Sequence, residues 1–229
     1  MHACMRYLVD IKREENRWLS LEEWKQYFDF QMNRMKGSFT EKQFESRLEQ
    51  GRNILGVLLT AKQEEYKNYQ STKTEYGIQT EIEGVLLKGN IDKLIIQGNL
   101  AIVSDYKTGK VKNMREKSRL SSRFKPGDVP RDYWLQVGIY VMMVNAHKEL
   151  GLQCVQGAIE SLTENEEGKF ETINIFYNNE HQQILRDLIK KANLQLESRE
   201  FLNGCGKSDC NWCQFTKQQG WVKYLPGND

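Results

Sequence analysis

The order of periodicities along the chain predicts an α/β or α+β fold in which helices surround a central mixed β-sheet. Three observations carry that expectation. Two helical patterns, each opened by a capping signal, occupy residues 20–59. At Thr74 the period changes from 3.6 to 2 and stays there through three strands. A helix and two more strands then precede a last amphipathic helix. With 229 residues the chain is long enough for one large domain or two small ones, each with a real core.

Taken in order, His2 to Leu8 read as a first short helix. Residues 20–36 form the next: Ser20 and Glu23 make a capping box ahead of Leu21, Trp24, Tyr27, Phe28 and Met32. Thr40 and Gln43 make a second box before Phe44, Leu48, Leu55, Leu58 and Leu59, a pattern interrupted by Gly51 and Gly56. Residues 61–72 are polar and trail off that helix. Thr74–Ile82 and Val85–Leu94 are strands joined at Glu83-Gly84, and Leu100–Lys107 completes an antiparallel meander. Residues 108–131 lack a period and are rich in Lys and Arg, which predicts a long mobile loop on the side of Lys107; a solvated linker is the plainer alternative. Residues 132–150 are an amphipathic helix with Trp134, Gln136, Val137, Tyr140, Val141 and Val144. Cys154–Leu162 and Glu171–Tyr177 are strands. The closing helix, about 179–199, carries Ile184, Leu185, Leu188, Ile189 and Leu196 and ends near Asn203-Gly204.

The sharpest chemical signal lies in the second hairpin. Gly98-Asn99 suits a two-residue type II′ turn with Gly first. That turn sets Asp92 directly opposite Asp105, with Cβ atoms about 4.5–5.5 Å apart. Lys107, two residues on, shares the face of Asp105. Opposed carboxylates repel, so the pair calls for a cation, and paired Asp residues suit Mg²⁺. The plain alternative is two strand-end carboxylates neutralised by Lys93 and Lys107. Glu75 and Glu81 are further carboxylates on the first strand.

Bulk properties narrow the field. The net charge is only +2, so any footprint for nucleic acid must be local. Apolar runs are too short for a membrane span, and no charged-then-apolar leader opens the chain, so a cytoplasmic protein is expected. Five cysteines, three of them crowded near the end, favour a metal site or free thiols over a disulfide framework.

Three segments together resemble a known family: Gly89-Asn90-Ile91-Asp92, then Asp105-Tyr106-Lys107-Thr108-Gly109-Lys110, then Gln136-Val137-Gly138-Ile139-Tyr140. They are similar to the G-x-x-D, D-Y-K-T-G and Q-x-x-x-Y series of RecB-type nucleases in the PD-(D/E)XK superfamily. The likeness covers roughly residues 75–215 well and the N-terminal helices loosely. It implies a restriction-endonuclease-like α/β core forming one domain over 1–229: a helical part to residue 72, a catalytic sheet and motif helix over 73–177, and a C-terminal helix with a Cys-rich knuckle. It further implies hydrolysis of DNA phosphodiesters with Mg²⁺ or Mn²⁺. Asp92, Asp105 and the Tyr106 carbonyl would be metal ligands, with Lys107 as catalytic lysine and Gln136 and Tyr140 as positioning residues. A helical His upstream often joins the metal in this family, and His2 stands where it would fall.

The ending Cys205-Gly206-Lys207-Ser208-Asp209-Cys210-Asn211-Trp212-Cys213 resembles most the nuclease module that closes bacterial UvrD/Rep-type helicases. That likeness implies single-stranded or unwound DNA as substrate, helicase motor domains of the same or a partner chain, and a place at the bacterial nucleoid. The abrupt start at Met1-His2 fits an excised module. Cys205, Cys210 and Cys213 suit Zn²⁺ or an iron–sulfur cluster, though related nucleases use four cysteines in a different spacing; thiols packed around Trp212 are the alternative. Lys110, Lys112, Arg115, Arg119 and Arg123, with Tyr106, Tyr133 and Trp134 at the edges of the basic stretch, would track phosphates and stack unpaired bases. Two rivals stand beside this reading: a catalytically idle DNA-binding or helicase-docking module, and a stand-alone phage or recombination exonuclease.

Overall fold

The change of period at residues 72–74 opens a five-stranded sheet in the computed structural model of the chain, which describes residues 1–125, 128–200, 204–205, 207 and 209–220. Its strands are β1 (Thr72–Ile82), β2 (Val85–Gln97), β3 (Leu100–Lys107), β4 (Gln153–Ser161) and β5 (Thr172–Phe176). They lie side by side in chain order, with β3 and β4 parallel and the other neighbours antiparallel. The parallel step needs a crossover, and the helix α5 (Asp132–Ala146) lies within it.

Both hairpin turns follow from their residues. Glu83 and Gly84 take φ of 55° and 76°, the two positive values of a type I′ turn. Gly98 takes φ of 63° while Asn99 stays out of the left-handed region, as type II′ requires. The ladder from Gln97–Leu100 down to Lys93–Ser104 has the register expected from that turn.

One face of the sheet is covered by α1 (His2–Glu15), α2 (Leu21–Arg34) and α3 (Glu41–Glu65). Their shared core holds Met5, Leu8, Trp24, Phe28, Leu55 and Leu58, and takes Tyr106 and Leu162 from the sheet side. Each large apolar side chain so buried stabilises by about 1.5–3 kcal/mol. Both capping boxes form: Ser20 Oγ accepts from the Glu23 amide at 3.2 Å, and Thr40 Oγ1 from the Gln43 amide at 3.3 Å. Gly51 is where α2 meets α3, since a Cβ there would lie 2.0 Å from the Phe28 ring. The other face carries α5 and α6 (Asn179–Glu197), with Ile91, Leu94, Val103, Val137, Val141 and Leu185 between.

Three expectations are corrected. Residues 61–72 do not trail off: α3 runs to Glu65 and a 3₁₀ segment, Tyr66–Ser71, follows, because Lys62 and Tyr66 are buried against the sheet. The basic stretch is not simply a loop. Val111 and Met114, three apart, are both buried and fold α4 (Val111–Lys117). A last helix, α7 (Asn211–Gln218), begins just after Cys210. Asn203, at the expected end of the closing helix, Gly206 and Ser208 of the cysteine segment, and residues 221–229 lie outside the described residues. Among those described, no helix is long and apolar enough to cross a membrane.

Candidate active site

The β2–β3 ladder stops one rung short of the carboxylate pair. Beyond Lys93–Ser104 the side chain of Asp92 takes over, its Oδ2 accepting from the Tyr106 amide at 2.8 Å. The two strands therefore part where Asp92 and Asp105 sit, both nearly closed to solvent at 7% and 1% exposure. Across the other hairpin, Thr74 pairs with Lys93 and Tyr76 with Ile91, which sets Glu75 beside Asp92. Glu75 has φ of 48° and accepts a hydrogen bond from Asn90. The first turn of α1 then brings His2 over the strands: Nδ1 lies 3.4 Å from Asp92 Oδ1 and Nε2 lies 3.1 Å from the Tyr106 carbonyl. Ligand atoms of His2, Glu75 and Asp92 all lie within 4.8 Å of one another. Glu75 was legible only as a carboxylate on the first strand; the bracketing register is what aims it here.

Lys107 and α5 close the other side. Lys107 Nζ is 2.5 Å from Asp105 Oδ2 and donates to Gln136 Oε1 at 3.1 Å. Gln136 Nε2 donates to Asp105 Oδ1 at 2.6 Å and reaches the Tyr140 hydroxyl at 3.4 Å. One amide thus orients a lysine and a carboxylate together, and the four-residue spacing aligns Tyr140 behind it. The Tyr133 ring supports Lys107 from 4.9 Å, a role sequence reasoning missed.

Electrostatically this end of the sheet carries excess negative charge. Burial, then the charge of Asp105, pushes the Asp92 carboxyl up to about 6, against the pull of the Tyr106 amide and His2. Burial also raises Asp105, against the opposing pull of Lys107. Asp105 Oδ2 is buried, and its close partner is the Lys107 ammonium, an ion pair at 2.5 Å. Carboxylate oxygens with one imidazole, short of cationic charge, form a donor set that fits a divalent metal ion.

The opposite face of the same strands carries a second charged group. Lys93, next to Asp92, lies 2.6 Å from Glu160 Oε1; Lys62 of α3 lies 3.2 Å from Glu160 Oε2 and 2.5 Å from Glu65 Oε2; Lys93 also pairs with Glu65. Tyr106, between Asp105 and Lys107, hydrogen-bonds through its hydroxyl to Tyr66 and faces Lys62 at 5.4 Å. Burial alone would raise the Glu160 carboxyl, but Lys93 and Lys62 outweigh it and hold the group at about 2.

Other expected residues are dispersed. Lys110, Lys112, Arg119 and Arg123 are exposed along the segment after β3. Arg115 is engaged by Glu171, with contacts of 2.7 and 3.0 Å. Trp134 does not face solvent for stacking: it is 2% exposed, its ring lies 5.2 Å from Tyr177, and its carbonyl accepts from the Tyr177 hydroxyl at 2.6 Å. Tyr106 is likewise buried. Both are corrections with one cause, the packing of β3 and α5 in the interior. The thiols of Cys205, Cys210 and Cys213 lie within 4.8 Å of one another, and among the described residues no fourth His, Cys, Asp or Glu joins them. Cys4 is buried in the N-terminal layer, where burial pushes its thiol up to about 11. Trp212 is exposed rather than packed over the thiols.

Comparison with known proteins agrees with this picture. A family model described as the PD-(D/E)XK nuclease superfamily matches residues 1–218. Comparison with curated proteins returns no match. Among solved structures, a protein of Eubacterium rectale that is an exonuclease by assigned name shares 15% identity at a TM-score of 0.48, covering 90% of this chain and 79% of its own. The crystal structure of SSO0001 shares 18% identity at a TM-score of 0.34, covering 72% and 70%.

Proposed function

The chain belongs to the PD-(D/E)XK nuclease superfamily, and from that premise we propose that it hydrolyses DNA phosphodiesters at the open end of the β2–β3 hairpin. The single observation that supports this best is the convergence of His2, Glu75, Asp92, Asp105 and Lys107, from three strands and α1, on one under-neutralised site. Asp92, Asp105, His2 and the Tyr106 carbonyl, with Glu75 alongside, would hold Mg²⁺ or Mn²⁺, which supplies Lewis-acid polarisation of the phosphate and hydroxide at neutral pH.

The remaining work falls to the chain itself. Lys107, held by Asp105 and Gln136, orients the attacking water and offsets charge developing on the phosphate. The water oxygen bonds to phosphorus, the P–O3′ bond breaks, and the ends are a 5′-phosphate and a 3′-hydroxyl. Gln136 and Tyr140 are positioning residues. We take single-stranded or unwound DNA as substrate, fed by a helicase motor on the same or a partner chain, on the strength of the C-terminal sequence likeness; exposed Lys110, Lys112, Arg119 and Arg123 are available to phosphates.

For Cys205, Cys210 and Cys213 we infer a thiolate site for Zn²⁺ or an iron–sulfur cluster. Their sulfurs are within ligand reach, and the Cys213 amide and the Cys205 thiol lower the Cys210 thiol. A purified chain that is colourless and free of zinc and iron overturns that part.

The central test is Mn²⁺-dependent degradation of single-stranded DNA by the parent chain and by Asp105→Ala. A loss of about 10³-fold or more is expected, given the several kcal/mol such a site contributes. No degradation by the parent, or undiminished degradation by the variant, sinks the catalytic reading.

A further inference from the structure

A cleft of about 380 Å³ opens beside the carboxylates, among α1, α2 and β1. His2, Arg6, Tyr7, Asp10, Tyr27 and Glu75 line it, and two of these, His2 and Glu75, also belong to the candidate metal group. The cleft therefore adjoins the place where a scissile phosphate would be held. Nothing in the hydrolytic step uses its other walls.

Those walls have a specific chemistry. Tyr7 and Tyr27 are half-buried and stacked on each other, ring centroids 4.0 Å apart and planes 17° apart. Each ring is held by the other, so a third aromatic plane can extend the stack with little further ordering. The polar wall is a set of paired charges rather than a free cation. Arg6 is paired with Asp10 at 3.1 Å, Asp10 is shared with Arg13 at 3.2 Å, and Glu75 adds another carboxylate. A planar ring with polar edges meets both demands: its face continues the tyrosine stack, and the mixed donors and acceptors of Arg6, Asp10 and Glu75 face its edge, as side chains do base edges elsewhere.

We propose that this cleft receives one unpaired nucleobase of the substrate strand, stacked on the Tyr7–Tyr27 pair next to the scissile phosphate. The proposal deepens the nuclease reading and rests on it for the identity of the substrate. In a duplex both faces of a base are covered and its pairing edge is occupied, so a site of this kind selects single strands. It also supplies the aromatic surface that the buried Trp134 and Tyr106 do not.

The test is binding of a fluorescein-labelled single-stranded oligonucleotide, followed by anisotropy in chelator so that no cleavage is needed. Tyr27→Leu and Tyr7→Leu should each weaken Kd about tenfold, the value of one stacked base, with duplex affinity unchanged. Tyr27→Phe, which keeps the ring, should stay within twofold. Wild type should also lose about tenfold on a strand of the same length whose sugars lack bases, a comparison that needs no folded variant. Equal affinity of wild type for intact and base-free strands, or of the Leu variants and wild type for the intact strand, overturns the proposal. Loss in Tyr27→Phe equal to that in Tyr27→Leu does so too, since it assigns the effect to the hydroxyl. A chain that discriminates in this way yet cleaves nothing would keep the cleft and remove the nuclease; one that cleaves without discriminating would do the reverse.

Discussion

Strands β2 and β3 carry buried charge on both faces, and the two faces treat it oppositely. In front, Lys107 is paired with Asp105, Asp92 faces only the His2 imidazole among the described ion pairs, and burial with repulsion from Asp105 pushes Asp92 up to about 6. Behind, Glu160 and Glu65 meet Lys93 and Lys62, and although Glu160 is 4% exposed its carboxyl is drawn down to about 2. Burial is common to both sides, so it does not decide the outcome; the balance of partners does. A closed charge set belongs to the architecture, whereas the unbalanced one is where the proposed function places a cation.

Each face can be broken separately. Glu160→Gln leaves Lys93 and Lys62 short of a counter-charge in the interior and should cost about 3–5 kcal/mol, read by urea denaturation. A loss under about 1 kcal/mol would mean that the rear set is not a balanced unit. Asp92→Asn should act in the opposite direction. Removing one of two opposed carboxylates should stabilise the metal-free chain at pH 7.5 by on the order of 1–2 kcal/mol while abolishing Mn²⁺-dependent cleavage. If this variant is less stable than the parent, the front pair is not strained by its own charge.

The pH dependence sharpens the contrast. Asp92 has a folded pKa above its unfolded value of about 3.9, so its contribution is complete below that pH and disappears as pH rises through about 6. Glu160 has a folded pKa below its unfolded value, so its contribution is complete above about 4.3 and is lost as pH falls through about 2. Stability of the metal-free chain should therefore decline between about pH 4 and 7, and Asp92→Asn should flatten that decline. Mn²⁺ should raise the Tm at pH 7.5 and do so less at pH 5, where Asp92 holds its proton; an equal rise at both would separate the ion from this carboxylate. The smallest effect expected is that of Tyr66→Phe. Removing the partner of the Tyr106 hydroxyl should cost about 1 kcal/mol, and a neutral result in thermal melts would take Tyr66 out of the rear set.

Much of the front face was legible because it depends on local rules. Gly98-Asn99 set the register, the period of 2 put Lys107 with Asp105, and the four-residue spacing put Gln136 with Tyr140. The rear face was not legible. Alternation puts Lys93 opposite Asp92, but only tertiary packing supplies Glu160 from β4 and Lys62 from α3, at sequence separations of 67 and 98 residues across the two Glu160 contacts. Trp134 failed for a different reason. Its helix buries Trp134, Val137, Gly138, Val141, Met142, Met143 and Val144, so apolar residues on most sides left its solvent face undecided. The Lys- and Arg-rich stretch concealed a helix because two apolar residues, Val111 and Met114, outweighed its charges.

The missing rung at Asp92 ties one backbone amide to a titrating side chain. Along the β2–β3 ladder the pairing is between backbones that no solute can alter, but the Tyr106 amide is held by a carboxylate that titrates. Its proton is a built-in reporter. In an NMR spectrum the chemical shift and hydrogen-exchange rate of that single amide register the protonation state of Asp92, and they do so from inside the strand that carries Asp105 and Lys107.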